Sequence, residues 1–257
     1  MSGAVVRAFV ALSMLACAWR ASAGEHVAPD PPQHVVGEMD YRAMAQMMEM
    51  DDAENIGLVA LNRLEWREQN DAAWEARAWY GDDYDKALLK SEGEHEGGFS
   101  SARNELLWDR IVSRWWSAQT GLRSDTGSGP TRHWLAFGVE GLAPYWFDVE
   151  AAIYAGEAGR TALRVKVEYE LLFTQRLILQ PEVEANVYGK TDIERQLGSG
   201  LSDASVGLRL RYELQREFAA YVGIERRRTF AGTADFARAA GEPVLQTQAV
   251  AGLRVWF

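Results

Sequence analysis

The chain carries seven methionines, and their placement is uneven. Met1 and Met14 fall in an N-terminal stretch that reads as a leader, whereas Met39, Met44, Met47, Met48 and Met50 crowd one short segment. Thioether sulfur is a soft donor that selects Cu(I) among the common biological metals, and His26 and His34 upstream would add imidazole nitrogen. Residues 40–52 contain neither Gly nor Pro and open on Asp40, a good helix cap, so the spacing predicts a short helix there. On such a helix Met44, Met47 and Met48 stand at i, i+3 and i+4 on one face, close enough for sulfurs to share an ion. The carboxylates Glu38, Asp40, Glu49, Asp51 and Asp52 surround them. The same stripe also reads as a flexible apolar face used for packing, a role methionine fills well.

Other chemistry is sparser. Lys90 to Glu96, with three glutamates and His95, is expected in an external loop, either as a metal site or as a solvated face. No Gly-x-Ser-x-Gly element occurs, and the four histidines, His26, His34, His95 and His133, are scattered. A hydrolase would have only a serine with His133 or His95 to work with, so the expectation is a protein that is not an enzyme.

The elements that must position these residues are strands. In Leu163 to Leu171 the odd positions are apolar and the even ones charged, and period two returns in Leu177 to Tyr188, Val206 to Leu214 and Phe218 to Arg227. A soluble sandwich would also alternate, but these segments are long enough to cross a bilayer as tilted strands. Twelve of them are read, at 57–68, 72–81, 85–94, 99–110, 115–125, 132–142, 145–157, 160–172, 176–188, 202–214, 216–229 and 244–257. An even number of strands, with tight connections near 141–144, 173–175 and 214–216 and long ones at 189–201 and 229–243, fits short periplasmic turns and longer external loops. The fold class is therefore all-β: a closed antiparallel transmembrane barrel over 57–257. Trp66, Trp79, Tyr80, Trp108, Trp115, Trp116, Trp134, Tyr145, Trp146 and Trp256 fall near strand ends, as interfacial girdles require. The alternating stretch closing on Trp256 and Phe257 looks like a barrel assembly signal.

A barrel of this pattern turns its charged face inward. Asp148, Glu150, Glu168, Glu170, Glu182 and Glu184 are candidates for lining a cation path, with Arg164, Lys166, Arg209, Arg211, Glu213, Glu217, Glu225 and Arg227 beside them. Interior charges of both signs also serve simply to pair across strands and hold the wall.

Residues 1–23 read as a signal peptide, with Arg7 before an apolar stretch and Ala21-Ser22-Ala23 at the cleavage site; a lipoprotein site at Cys17 is the competing reading. Residues 24–56 would then be a periplasmic arm. Cys17 is the single cysteine, so a mature chain starting at Gly24 has no thiol chemistry. Charged residues interrupt every later apolar run, leaving no stretch of the roughly 20 residues a membrane helix needs. A net charge of -10 argues against a nucleic-acid partner and accommodates a cation.

Six segments carry a family likeness: Met39-Asp40-Tyr41 with the methionines after it, Lys90 to Glu94, Leu142 to Phe147, Leu177 to Pro181, Gly198 to Asp203 and Arg216 to Gly223. Together they resemble the copper resistance protein B family, over about residues 38–257. The resemblance implies an outer-membrane barrel, in contact with lipid and copper ions, that supports copper resistance beside periplasmic proteins such as a multicopper oxidase. It implies no catalytic site. The long Met- and His-rich repeats of that family are reduced here to one cluster, which argues against high-capacity storage. The functions to be weighed are copper binding for export or sequestration, an anchor for a copper oxidase, and a general small porin.

Overall fold

A computed structural model describes residues 55–67, 71–96, 99–127 and 129–257, with the backbone alone at Glu96 and Phe99. Residues 1–54, with the leader, all but the last two residues of the expected arm, the helix expected at 40–52 and all the methionine and histidine candidates of that region, lie outside the described residues, and Ile56, expected in the arm, already belongs to the first strand.

The strands are β1 (Ile56–Arg67), β2 (Ala72–Gly81), β3 (Asp85–Glu96), β4 (Phe99–Ser113), β5 (Trp116–Thr126), β6 (Arg132–Ala143), β7 (Phe147–Gly156), β8 (Arg160–Glu168), the two-residue β9 (Leu171–Leu172), β10 (Leu177–Tyr188), β11 (Gly200–Gln215), β12 (Phe218–Thr229) and β13 (Leu245–Trp256). Each long strand pairs antiparallel with its neighbours, β8 pairing with β10, and β13 returns to β1 through Ala60↔Trp256 and Trp66↔Ala251. Backbone hydrogen bonds between Val59 and Phe257, at 2.8 and 3.1 Å, extend that seam. The sheet is a closed barrel of twelve long strands.

Burial along β11 shows which way the alternation points. Arg209 and Arg211 are buried, whereas Val206 is 56% and Leu208 47% exposed. A sandwich would do the reverse. An apolar outer wall around a charged interior is stable only where lipid replaces water, as in outer-membrane barrels. Trp66, Tyr80, Trp108, Trp115, Tyr145, Trp146 and Trp256 are exposed as girdles require. Three expected girdle residues are not: Trp79 and Trp116 face cavities in the lumen, and Trp134 is buried with Nε1 donating to Asp125 at 3.0 Å.

The two ends of the barrel differ. At one end the hairpins are tight. Asp82 Oδ1 accepts the amides of Tyr84 and Asp85 at 2.8 and 2.7 Å, and Thr174 Oγ1 accepts those of Arg176 and Leu177 at 3.2 and 2.9 Å. Between β6 and β7, Pro144–Trp146 forms a single 3-10 turn, so β7 starts at Phe147 rather than at 145. Tyr145 and Trp146 there hold φ of 66° and 67°, a left-handed conformation that costs a bulky residue energy. At the other end the long connection after β12 contains a helix the periodicity did not signal, α1 (Ala231–Ala240), stopped by Gly241 at φ 78°.

Lys90 to Glu96 does not form a loop. Its residues complete β3, pairing with Glu105 through Phe99 of β4, and the alternation carries Lys90, Glu92 and Glu94 into the interior.

Candidate functional site in the barrel lumen

Strand alternation delivers one charged side chain every second residue to the lumen, and opposite signs meet across it. Lys166 Nζ lies 3.1 Å from Glu75, 2.7 Å from Glu168 and 3.8 Å from Glu182. Arg63 also binds Glu182. Arg209 reaches Glu65 at 2.9 Å, Glu225 at 2.8 Å and Glu182 at 3.4 Å, and Glu65 is fully buried. These groups form a belt across the middle of the barrel. A charge in a dehydrated interior is tolerable only when paired, and each here has two or more partners.

Cavities flank the belt. On the tight-turn side a vestibule of about 880 Å³ is lined by Trp79, Trp146, Asp148, Glu168, Glu170 and Arg211 among others. On the loop side a cavity of about 370 Å³ is lined by Glu92, Glu94, Arg103, Arg123, Arg164 and Arg195 among others. Arg63 and Glu75 line both, so the belt is the partition between them. Beside it, Leu88, Leu107, Trp134, Ala136, Ala152, Tyr154 and Ala162 form an apolar plug within the lumen.

The loop end is strapped. In the connection between β10 and β11, Asp192 sits in the fork of Arg132, at 2.9 and 3.1 Å, and within 3.3 Å of Arg160. The Arg132 hydrogen bonds, helped by the charges of Arg132 and Arg160, hold its carboxyl below the usual carboxylate range. Arg195 donates to the carbonyls of Asp125 and Pro130 at 3.2 and 3.1 Å. Gly198 closes the strap onto α1: its amide bonds Thr233 Oγ1 at 2.8 Å, and a Cβ there would stand 2.4 Å from the Thr233 nitrogen.

The six expected lumen acids all face the interior, but five are engaged. Glu150 pairs with Lys90 at 2.9 Å, Glu168 with Lys166, and Glu170 with Arg211 at 2.9 Å. Glu182 joins the belt, and Glu184 binds Arg164 at 2.9 Å. Asp148 alone has no salt bridge among the described residues and opens on the vestibule. Glu217 lies in the tight turn after β11 rather than in the lumen. Sequence reasoning passed over Glu65, Glu75 and Glu140, and assigned Glu92 and Glu94 to an external loop although they show the same i, i+2 charge spacing as the lumen acids.

Among the described residues no group of three or more His, Cys, Asp or Glu side chains is arranged to hold a metal. His95 Nδ1 is bound to Ser100 Oγ at 2.8 Å.

Residues 55–257, the whole described barrel, match the family model of the copper resistance protein B precursor. The chain belongs to the copper resistance protein B family. A copper resistance protein B homolog of Pseudomonas syringae pv. tomato is 46% identical over 211 residues, covering 80% of this chain and 71% of the relative. Copper resistance protein B of Escherichia coli is 42% identical over 204 residues, covering 78% and 69%. A solved NanC porin shares the barrel fold at a TM-score of 0.51 with 9% identity, over 77% of this chain and 98% of that one. This family member is thus an outer-membrane barrel with a role in copper resistance. The family model starts at residue 55, later than the likeness expected from 38, so that match rests on the barrel and excludes the methionine segment.

Proposed function

We propose that the protein captures copper at the periplasmic face of the outer membrane, binding Cu(I) through Met39, Met44, Met47, Met48 and Met50 with His26 and His34 as supporting ligands. The observation that carries this reading is a division of donor types within a copper resistance family member. Every methionine outside the leader lies in residues 39–50, while residues 55–257 contain no methionine and no cysteine. The lumen offers carboxylates, hard donors that suit Cu(I) poorly, and those of the belt are already held by Arg and Lys. β1 begins at the tight-turn end, which is periplasmic in barrels of this kind, and this supports a periplasmic location for the segment before it.

The belt and strap argue for holding copper rather than letting it leak through an open pore, and against a general porin. Export would require the belt to part. The barrel has no catalytic duty in this reading.

A second reading, an anchor for a periplasmic multicopper oxidase, is favoured by one feature. Tyr145 and Trp146, 83% and 66% exposed, are held out from the tight-turn end in a strained conformation.

Competition with a chromogenic Cu(I) chelator tests the proposal, using the folded full-length protein and a variant with all five methionines changed to Leu. Tight binding lost in the variant supports capture by the segment. Equal binding by both moves the site into the barrel, and binding by neither leaves the anchor.

A further inference from the structure

Two arginines stand on the lipid-facing side of β12. Val222 and Ile224, 59% and 58% exposed, form the apolar wall; Arg226 and Arg228 continue the same outward face toward the loop end and are exposed. Strand rise places Arg226 about 7 Å beyond Ile224 along the strand. Arg227 between them points inward and pairs with Glu94 and Glu225. Arg226 and Arg228 have no salt bridge and no side-chain hydrogen bond among the described residues, and the guanidinium carbon of Arg228 lies 5.1 Å from the centre of the Phe230 ring. Their cross-strand neighbours, Val206 and Thr247 for Arg226, Ala204 and Leu245 for Arg228, supply no acid.

An unpaired cation on the lipid face is costly at mid-bilayer and cheap only at headgroup depth, where anions are available. We infer that Arg226 and Arg228 form a docking surface for a phosphorylated glycolipid of the outer leaflet. The loop end is the external end of such barrels, and the external leaflet of a bacterial outer membrane presents phosphate groups on sugars. Guanidinium forks match phosphate oxygens bidentately, and two forks at i, i+2 span one phosphorylated sugar headgroup.

The test uses the full-length protein in detergent, with diphosphoryl lipid A as the probe and retained lipid read by native mass spectrometry; phosphatidylglycerol and inorganic phosphate are the comparison probes. Wild type is expected to retain lipid A in preference to both. Arg226→Gln/Arg228→Gln should bind it about thirty-fold more weakly, about fivefold for each basic side chain removed from an anionic lipid surface. Arg110→Gln, at the tight-turn end, should bind as wild type does. The heat-modifiable gel shift reports folding, and Arg226→Lys/Arg228→Lys, which keeps the charge but loses the fork, should fall between wild type and the glutamine pair. Wild-type affinity in the glutamine pair, or equal retention of phosphatidylglycerol, would overturn the assignment.

Discussion

Replacing Glu182 with Gln removes one negative charge from the centre of the belt at nearly constant shape. The side chain is 4% exposed, and Arg63, Arg209 and Lys166 all lean on it. Stripping one partner from a buried pair costs about 3–5 kcal/mol. The lower figure applies, because Arg209 keeps Glu65 and Glu225, Lys166 keeps Glu75 and Glu168, and Arg63 retains only Glu75 at 3.6 Å. A loss of about 3 kcal/mol is therefore expected in urea unfolding from lipid vesicles, followed by tryptophan fluorescence. Arg63→Gln in the same chain should return part of the loss, since it removes the cation left most poorly paired, and the double-mutant cycle measures that coupling. Planar-bilayer recordings of Glu182→Gln should show openings rare in wild type. A loss below about 1 kcal/mol, the range of solvent-screened surface pairs, would mean that water already fills the partition and that the barrel is not closed by these charges.

Two further expectations concern the loop end and the apolar plug. Because the Asp192 pKa is lowered in the folded state, its contribution to holding the strap is complete above the unfolded carboxylate value of about 4 and fades as pH falls through the lower folded value. Proteolysis at residues 189–199 should therefore rise on acidification, and Asp192→Asn should be cut equally across that range; an unchanged acid response in Asp192→Asn would count against the latch. Tyr154→Phe removes a buried hydroxyl that donates to Glu105 at 2.9 Å while leaving the ring beneath Arg123. A hydrogen bond to a charged group predicts about 2 kcal/mol lost in the same urea assay, and an unchanged midpoint would show that Glu105 finds another donor.

Where alternation is unbroken, as from Ser205 to Tyr212 within β11, the sequence exposes both the strand and its inward face, and most strand boundaries agree within about three residues. β1 shows where this fails. A bulge between Leu61 and Arg63 shifts the pairing with β2, so Leu58 and Ala60 face inward before it and Arg63, Glu65 and Arg67 after it, and period-two counting loses the inner face. Trp134 is misplaced for another reason: proximity to a strand end suggests a girdle, but its parity within β6 is set by the partner strands and turns it inward. The helix α1 was hidden because an alanine-rich stretch has no strong period, although Gly241 stood ready as its C-cap. The proposed copper ligation rests on a donor inventory alone, since thioether spacing does not by itself fix a geometry.

The seam between β1 and β13 bears on assembly order. Every other long pairing joins strands near in sequence, whereas Ala60 meets Trp256 across almost the entire barrel. Closing so long a loop is entropically expensive and slow. Until it closes, the nascent sheet has two bare edges, open to pairing with other chains. The vulnerable period in this protein's biogenesis is thus the wait for one late, nonlocal handshake, and a substitution that weakens the seam should act first on the yield of inserted barrels and only secondarily on their stability once closed.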